Sequence, residues 1–244
     1  MTSLFVTSKN ADYVSPDGSS FRVRFDPHLQ YDGTLVAKVT SAVNWFVFPN
    51  VTNGTLRVRY NGATYDIPIP TGLYELNTLR DTVYRGFTNA SLPINPILFE
   101  QNDSTQKVIV IFNHGTSELD FTGNAQMATL LGFEQQNYTA AQTVLEAPNT
   151  ARFNTIESLQ LHSNMTNTGI PVNGKYYQTI ATIPITARVG GQNIYQPMHP
   201  QMFECRRLNS PTEELHFWLT SEDGTTLLNT LGESWELTIQ IDSV

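Results

Sequence analysis

Five histidines, one cysteine and two pairs of adjacent carboxylates are the residues through which this 244-residue chain could do covalent or metal chemistry. His28, His114, His162, His199 and His216 are far apart in sequence, and none has a neighbour at the short spacing of a metal site. Cys205 with a distant histidine could form a thiol nucleophile. Its context, Met202 to Arg207, has no glycine-built elbow that would expose one, so it reads as a structural thiol. Asn113-His114-Gly115-Thr116-Ser117 has the residue types of an oxyanion-hole loop, yet it follows a strand as a plain turn. Glu213-Glu214 and Glu222-Asp223 are pairs that a glycosidase or a calcium site would use. Asp223-Gly224, however, sits where a hairpin turn is expected, which accounts for it without a ligand. Trp45, Trp218 and Trp235 lie in apolar strands and read as core rather than as sugar platforms. Phosphate-loop, zinc-protease, nucleophile-elbow and paired CxxC motifs are all missing. The expectation is a non-enzyme with no catalytic residue, no metal ligand and no cofactor.

Bulk composition narrows the remaining classes. The net charge is -8, and the longest basic run is Arg206-Arg207. Binding to nucleic acid needs clustered cations to displace phosphate counterions, so direct nucleic-acid binding is not expected. Only 15% of residues are charged, against roughly 25% in ordinary soluble domains. Thr and Asn take the place of charge, a surface style of β-proteins that pack against neighbours. A single cysteine excludes an intrachain disulfide. Six Asn-x-Ser/Thr sequons occur, at Asn50, Asn53, Asn89, Asn102, Asn137 and Asn164. The start of the chain has no basic stretch followed by an apolar run, which points to synthesis in a reducing cytosol without sugar. No apolar run approaches the length of a membrane span.

The elements that would hold these residues are mostly strands. Phe21, Val23 and Phe25 alternate with Arg22 and Arg24; Leu35, Ala37 and Val39 follow, then Trp45 to Phe48. Leu56, Val58 and Tyr60 lead into Asn61-Gly62, the preferred pair for a type I′ hairpin turn. That register sets Val58 opposite Tyr65 and Leu56 opposite Ile67. Beyond Pro68 and Pro70 the period lengthens: Leu76, Leu79, Val83 and Phe87 form one stripe of a helix from Glu75 to Asn89. Strands are expected near Ile97 to Glu100, Lys107 to Phe112 and Glu118 to Phe121. Asn124 then caps a helix over Ala125 to Leu131 that stops at Gly132. Glu134 to Asn149 reads as a polar connector. From Ile156 the chain is strand again, with a long β-branched run over Tyr177 to Val189 and a short strand within Tyr195 to Phe203. Leu215 to Thr220 follows, and then Ser234 to Ile241, whose alternation of Trp235, Leu237, Ile239 and Ile241 predicts a strand buried in a sheet.

Strand-rich flanks around an α+β middle predict a mainly β protein: a single jelly-roll β-sandwich with an inserted α+β domain. The jelly roll would use residues 1–53 and 147–244, and the insertion 54–146. Two consecutive domains split near residue 140 are the alternative. The insertion is preferred because strands near 21–48 otherwise lack partners, while joined to 153–242 they give roughly eight.

In this order the elements resemble the single jelly-roll penton (minor capsid) proteins of virophages and Polinton-like viruses, in the adenovirus-like double-stranded DNA virus lineage. The segments that carry the resemblance are Phe21 to Pro27 with Leu29, Ile67 to Tyr74 ahead of the helix, Ala128 to Phe133 with its Leu-Leu-Gly-Phe, and Leu219 to Gly224 with Gly232 and Trp235 to Ile241. The resemblance implies a virion protein made in the host cytoplasm. It implies homopentamers at icosahedral vertices, flanked by trimers of a major capsid protein, with an outward-projecting insertion available to a host receptor. The competing readings are a jelly-roll receptor- or glycan-binding attachment protein, for which Tyr138 and Tyr195 are the loop aromatics, and a glycan-active enzyme on the same fold.

Overall fold

The structure, a computed structural model, describes residues 2–24, 35–92, 95–154, 156–167, 169–172, 174–205 and 214–243. The chain divides into two compact units, Met1–Phe48 with Ile156–Val244, and Pro49–Thr155. The first unit opens with β1 (Thr2–Thr7), β2 (Tyr13–Val14), β3 (Ser20–Arg24) and β4 (Leu35–Trp45). The second holds β5 (Gly54–Tyr60), β6 (Ala63–Ile69), α1 (Leu76–Asn89), β7 (Ile97–Asn102), β8 (Lys107–Phe112), β9 (Glu118–Asp120), α2 (Ala125–Leu131), β10 (Asn137–Thr139) and β11 (Val144–Glu146). The chain then returns to the first unit with β12 (Ser158–Ser163), β13 (Pro171–Val172), β14 (Lys175–Tyr176), β15 (Thr179–Pro184), β16 (Gln192–Tyr195), β17 (Met202–Glu204), β18 (Glu214–Thr220) and β19 (Glu236–Ser243).

Two five-stranded antiparallel sheets make most of the first unit, with β13–β14 as a small hairpin beside them. One runs β1-β19-β4-β16, with β17 also on β4; the other runs β15-β12-β18-β3-β2. The alternation seen in the sequence decides which side chains face inward. On β19, Leu237, Ile239 and Ile241 are buried, and Ile239 stands between Leu4 of β1 and Val39 of β4. Trp235, just ahead of β19, ties the two sheets together. Its ring meets Phe21 of β3 edge-on at 4.5 Å, and its indole N–H donates to the Gly18 carbonyl at 2.9 Å. Phe21 in turn packs on Phe217 of β18 at 5.3 Å. Each such side chain, fully buried, contributes roughly 1.5–3 kcal/mol.

The second unit has its own core. The β5–β6 hairpin turns at Asn61 and Gly62, both at positive φ (51° and 76°), as a type I′ turn requires. Its register is Val58 on Tyr65 and Leu56 on Ile67. A sheet β10-β9-β5-β6 and a sheet β11-β8-β7 share this core with the stripe Leu76, Leu79, Val83 and Phe87 of α1. Gly86 lets α1 lie close on β6, since a Cβ there would sit 2.2 Å from Ile67 Cγ2. α2 is capped by Asn124, whose Oδ1 accepts from Met127 N at 3.0 Å, and it ends at Gly132 with φ 79°. The whole is a mainly β jelly-roll sandwich carrying an α+β insertion.

Several details differ from the sequence reading. The smaller unit starts at Pro49 and ends at Thr155, wider than 54–146. Asn50 explains why: its amide donates to the Tyr74 and Phe153 carbonyls, 2.8 Å each, and its Oδ1 accepts from Tyr74 N at 2.9 Å. One side chain thus fastens both ends of the unit, and one sequon is consumed as structure. Glu75 caps α1 rather than beginning it. Within the expected connector 134–149, β10 and β11 extend the sheets at their edges, too short to show a period. The run 177–189 is a strand only over Thr179–Pro184, and 195–203 yields the ends of two strands, β16 and β17, rather than one. Ahead of Phe21 two strands, β1 and β2, had no counterpart in the reading. The segment Phe25 to Leu29, His28, Arg206-Arg207 and Glu213 lie outside the described residues.

Candidate functional site

The residues weighed for chemistry are mostly tied to the backbone. Cys205 is half-buried, and its N–H donates to the Leu35 carbonyl at 2.9 Å. Burial, with the charge of Glu204 beside it, pushes the thiol up to about 11, so it is protonated at neutral pH and a poor nucleophile. Glu222 Oε1 accepts from the N–H groups of Glu157 and Ser158 at 2.6 and 2.8 Å. Asp223 accepts from the Thr226 hydroxyl at 2.6 Å and from the N–H groups of Thr226 and Thr225 in its own turn, and these bonds hold its carboxyl well below the usual range. In the 113–117 loop, Thr116 Oγ1 donates to Asn61 Oδ1 at 2.8 Å and so braces the hairpin tip. His114 and His199 are exposed. Among the described residues no three His, Cys, Asp or Glu side chains converge on a metal-sized site, and no helix is long and apolar enough to cross a membrane.

Aromatic placement departs further from expectation. Trp235 is core, but Trp218 is half-buried and Trp45 is 38% exposed at the end of β4. Tyr138 and Tyr195 lie on strands β10 and β16 rather than in loops, and Tyr138 packs on Phe121 and Phe133 in the core of the second unit. His162 and His216, distant in sequence, come together on Trp218, with ring centroids 5.3 and 4.9 Å from it.

The surface feature with most chemical content is apolar. Ten large hydrophobic side chains are exposed among the described residues; nine belong to the jelly roll, and Val144 alone to the insertion. Most of them cluster on two edges. At one, β1 carries Phe5, 60% exposed, and β2 carries Tyr13 and Val14. A single 3-10 turn, Ser8–Asn10, lies between these strands, which end the two large sheets of the unit. At the other end of the sheet, β16 presents Ile194 (56%), β17 presents Met202 (62%), and Met198 (90%) lies between them. Trp45 is paired with Gln192, next to Ile194 across the ladder from Val43. Aromatic and methionine side chains are the types enriched at protein interfaces, and open edge strands invite association. These strands are too short for periodicity to mark them all in the sequence, and nothing in it shows which strands end a sheet.

Fold and surface together define a single jelly roll with an inserted α+β unit and two apolar edges. A solved protein shares this fold. The crystal structure of the mavirus penton protein superposes over 99% of this chain and 99% of its own, with a TM-score of 0.54 and 10% sequence identity. At that identity the likeness is one of fold. No protein-family model matches the sequence, and no curated protein does.

Proposed function

We propose that this chain is a structural capsid protein that forms homopentameric vertices of an icosahedral double-stranded DNA virus. The observation that carries the reading is the full-length likeness to a penton protein, which spans the insertion as well as the jelly roll. The two apolar edges support it. A ring of identical subunits needs a heterologous contact, one surface meeting a different one, and it closes when the rotation completes a circle. The β1/β2 flank of one copy against the β16/β17 flank of the next supplies such a pair. On this reading the insertion, poor in exposed apolar groups, is left without ring contacts and available to a host receptor. Trimers of a major capsid protein surround the vertex, and the net charge of -8 keeps direct genome contact slight.

Light scattering on the purified protein, with negative-stain images of the same sample, tests this. Rings with the mass of five chains are expected. A stable trimer would overturn the reading and favour an attachment spike.

A further inference from the structure

On the outer face of the second jelly-roll sheet, six side chains form a continuous ladder across four strands. Tyr13 of β2 lies under the Arg22 guanidinium at 5.3 Å, and Arg22 of β3 is paired in register with His216 of β18. His216 packs on Trp218, and Trp218 stacks on His162 of β12 with planes only 9° apart. Tyr177 closes the row, edge-on to His162 at 6.5 Å. The exposed end of the ladder is cationic, while its inner end, His162, is buried.

Two threonine hydroxyls hold that buried ring. Thr220 Oγ1 lies 2.7 Å from His162 Nε2 and within reach of the Ser221 carbonyl at 3.1 Å, and Thr179 Oγ1 lies 3.2 Å from Nδ1. A hydroxyl donates or accepts as it rotates, so a neutral imidazole is satisfied here in either tautomer. A charged ring would be buried with two neutral hydroxyls as its hydrogen-bond partners. This point is also where the β12–β15 ladder slips, with Leu161 opposite Ala181 but His162 opposite Thr179. A β-bulge bends its strand and locally disrupts the ladder. The excursion between β12 and β15 is held at the same spot, by Ser163 N to the Gln178 carbonyl at 2.9 Å and Ile170 N to the Thr179 carbonyl at 2.7 Å.

We propose that His162 is an acid-sensitive latch: neutral, it locks the excursion between β12 and β15 onto the sheet, and protonation releases that excursion. The charged and titratable groups around it give a proton no welcome. From β3 come Arg22 and Arg24, from β18 His216 and Glu214, and from the excursion's hairpin Lys175. Glu214 is already shared by both arginines, at 3.7 and 2.6 Å. In the 221–226 turn, which reaches Tyr177 through Gly224, Glu222 and Asp223 are engaged with backbone N–H groups. Desolvation alone pushes His162 down to about 4, and burial with Arg22 nearby lowers His216 as well. For a histidine depressed in the folded state, the stabilisation is complete above its ordinary value near 6.5. It is lost as pH falls from there toward 4.

Hydrogen exchange by mass spectrometry on the whole protein at pH 7.5 and pH 5, corrected for intrinsic rates, reads the latch directly. Opening at the Ser163 and Ile170 amides should rise roughly 30-fold, the linkage factor at pH 5 for a group moved from 6.5 to about 4. The insertion amides should show no such rise. In His162→Gln, whose amide can still donate to Thr220, the rise should vanish, while His216→Gln should keep most of it. No rise in the unaltered protein, or an equal rise in His162→Gln, would overturn the proposal. Should His162→Gln fail to fold, the ring proton titration of His162 in the unaltered protein decides. A midpoint well below 6.5 is expected, and one at or above it sinks the idea.

Discussion

The jelly roll and the insertion are built from similar strands yet treat their surfaces in opposite ways. The jelly roll leaves aromatic, isoleucine and methionine side chains bare along two sheet edges. The insertion has its own core, and the exposed face of its sheet carries ion pairs across β6, β5 and β9: Arg57 with Asp66, and Arg59 with Glu118 and Asp120. A monomer gains nothing from uncovered apolar edges, because each costs the hydrophobic stabilisation of burial. The contrast supports the proposed subunit contact at the jelly-roll edges and leaves the insertion's charged face to solvent.

The comparison first requires that each unit owns its core, and the largest expected effects test that. Phe217 of the jelly roll and Phe87 of the insertion are both fully buried. Truncating either to alanine should cost about 3–5 kcal/mol. The two reporters separate cleanly, since all three tryptophans lie in the jelly roll and, among the described residues, both α-helices lie in the insertion. Phe87→Ala should lower the midpoint of the helical circular-dichroism transition in urea and leave the tryptophan fluorescence transition in place. Phe217→Ala should do the reverse. Equal movement of both signals would mean a single cooperative unit.

Next in size is the edge itself. Ile194→Asp with Met202→Asp puts two charges on exposed positions that support no core, so folding should survive. If the edge is the subunit contact, buried hot-spot positions cost about 2 kcal/mol or more each when spoiled. Rings should then fall apart to monomers at concentrations where the parent assembles, as sedimentation would show. Val144→Asp on the insertion is the matched control and should leave rings intact. Disruption by the control and not by the edge pair would invert the assignment.

What the sequence made legible follows from where local chemistry decides. The Asn61-Gly62 turn, the α1 stripe, and the Asn124 and Gly132 caps are local, and the structure has them at the expected residues. β10 and β11 were not legible, because three residues carry no period and pair only through partners such as Asp120 and Ile111. β1 was missed for the same reason: Leu4 and Val6 are too few to declare a strand until β19 lies beside them. Trp45 was misread because an apolar strand has two faces, and periodicity does not say which of them the last residue takes. His162 and His216 met only through the β12–β18 and β18–β3 registers. The edges, hence the candidate assembly surface, depend on sheet order, which no short window of sequence contains.

The smallest effect expected concerns the charged exterior of the insertion. Arg57 grips Asp66 with two bonds, at 2.7 and 3.1 Å, across the β5–β6 hairpin. The hydrogen bond from Arg57, and then its charge, hold the Asp66 carboxyl below the ordinary 3.8. A carboxylate depressed in the folded state stabilises fully above its ordinary value, and that contribution disappears as pH falls through the lower folded one. Both partners are about half exposed, so solvent and salt screen the pair heavily. Asp66→Asn should therefore shift the urea midpoint of the helical signal only slightly at pH 7. The difference from the parent should close in molar salt, and also at pH values below that of the folded carboxyl. A large, salt-independent loss would mean that the pair organises the hairpin, and the insertion's polar surface would then be part of its architecture rather than its means of staying free of neighbours.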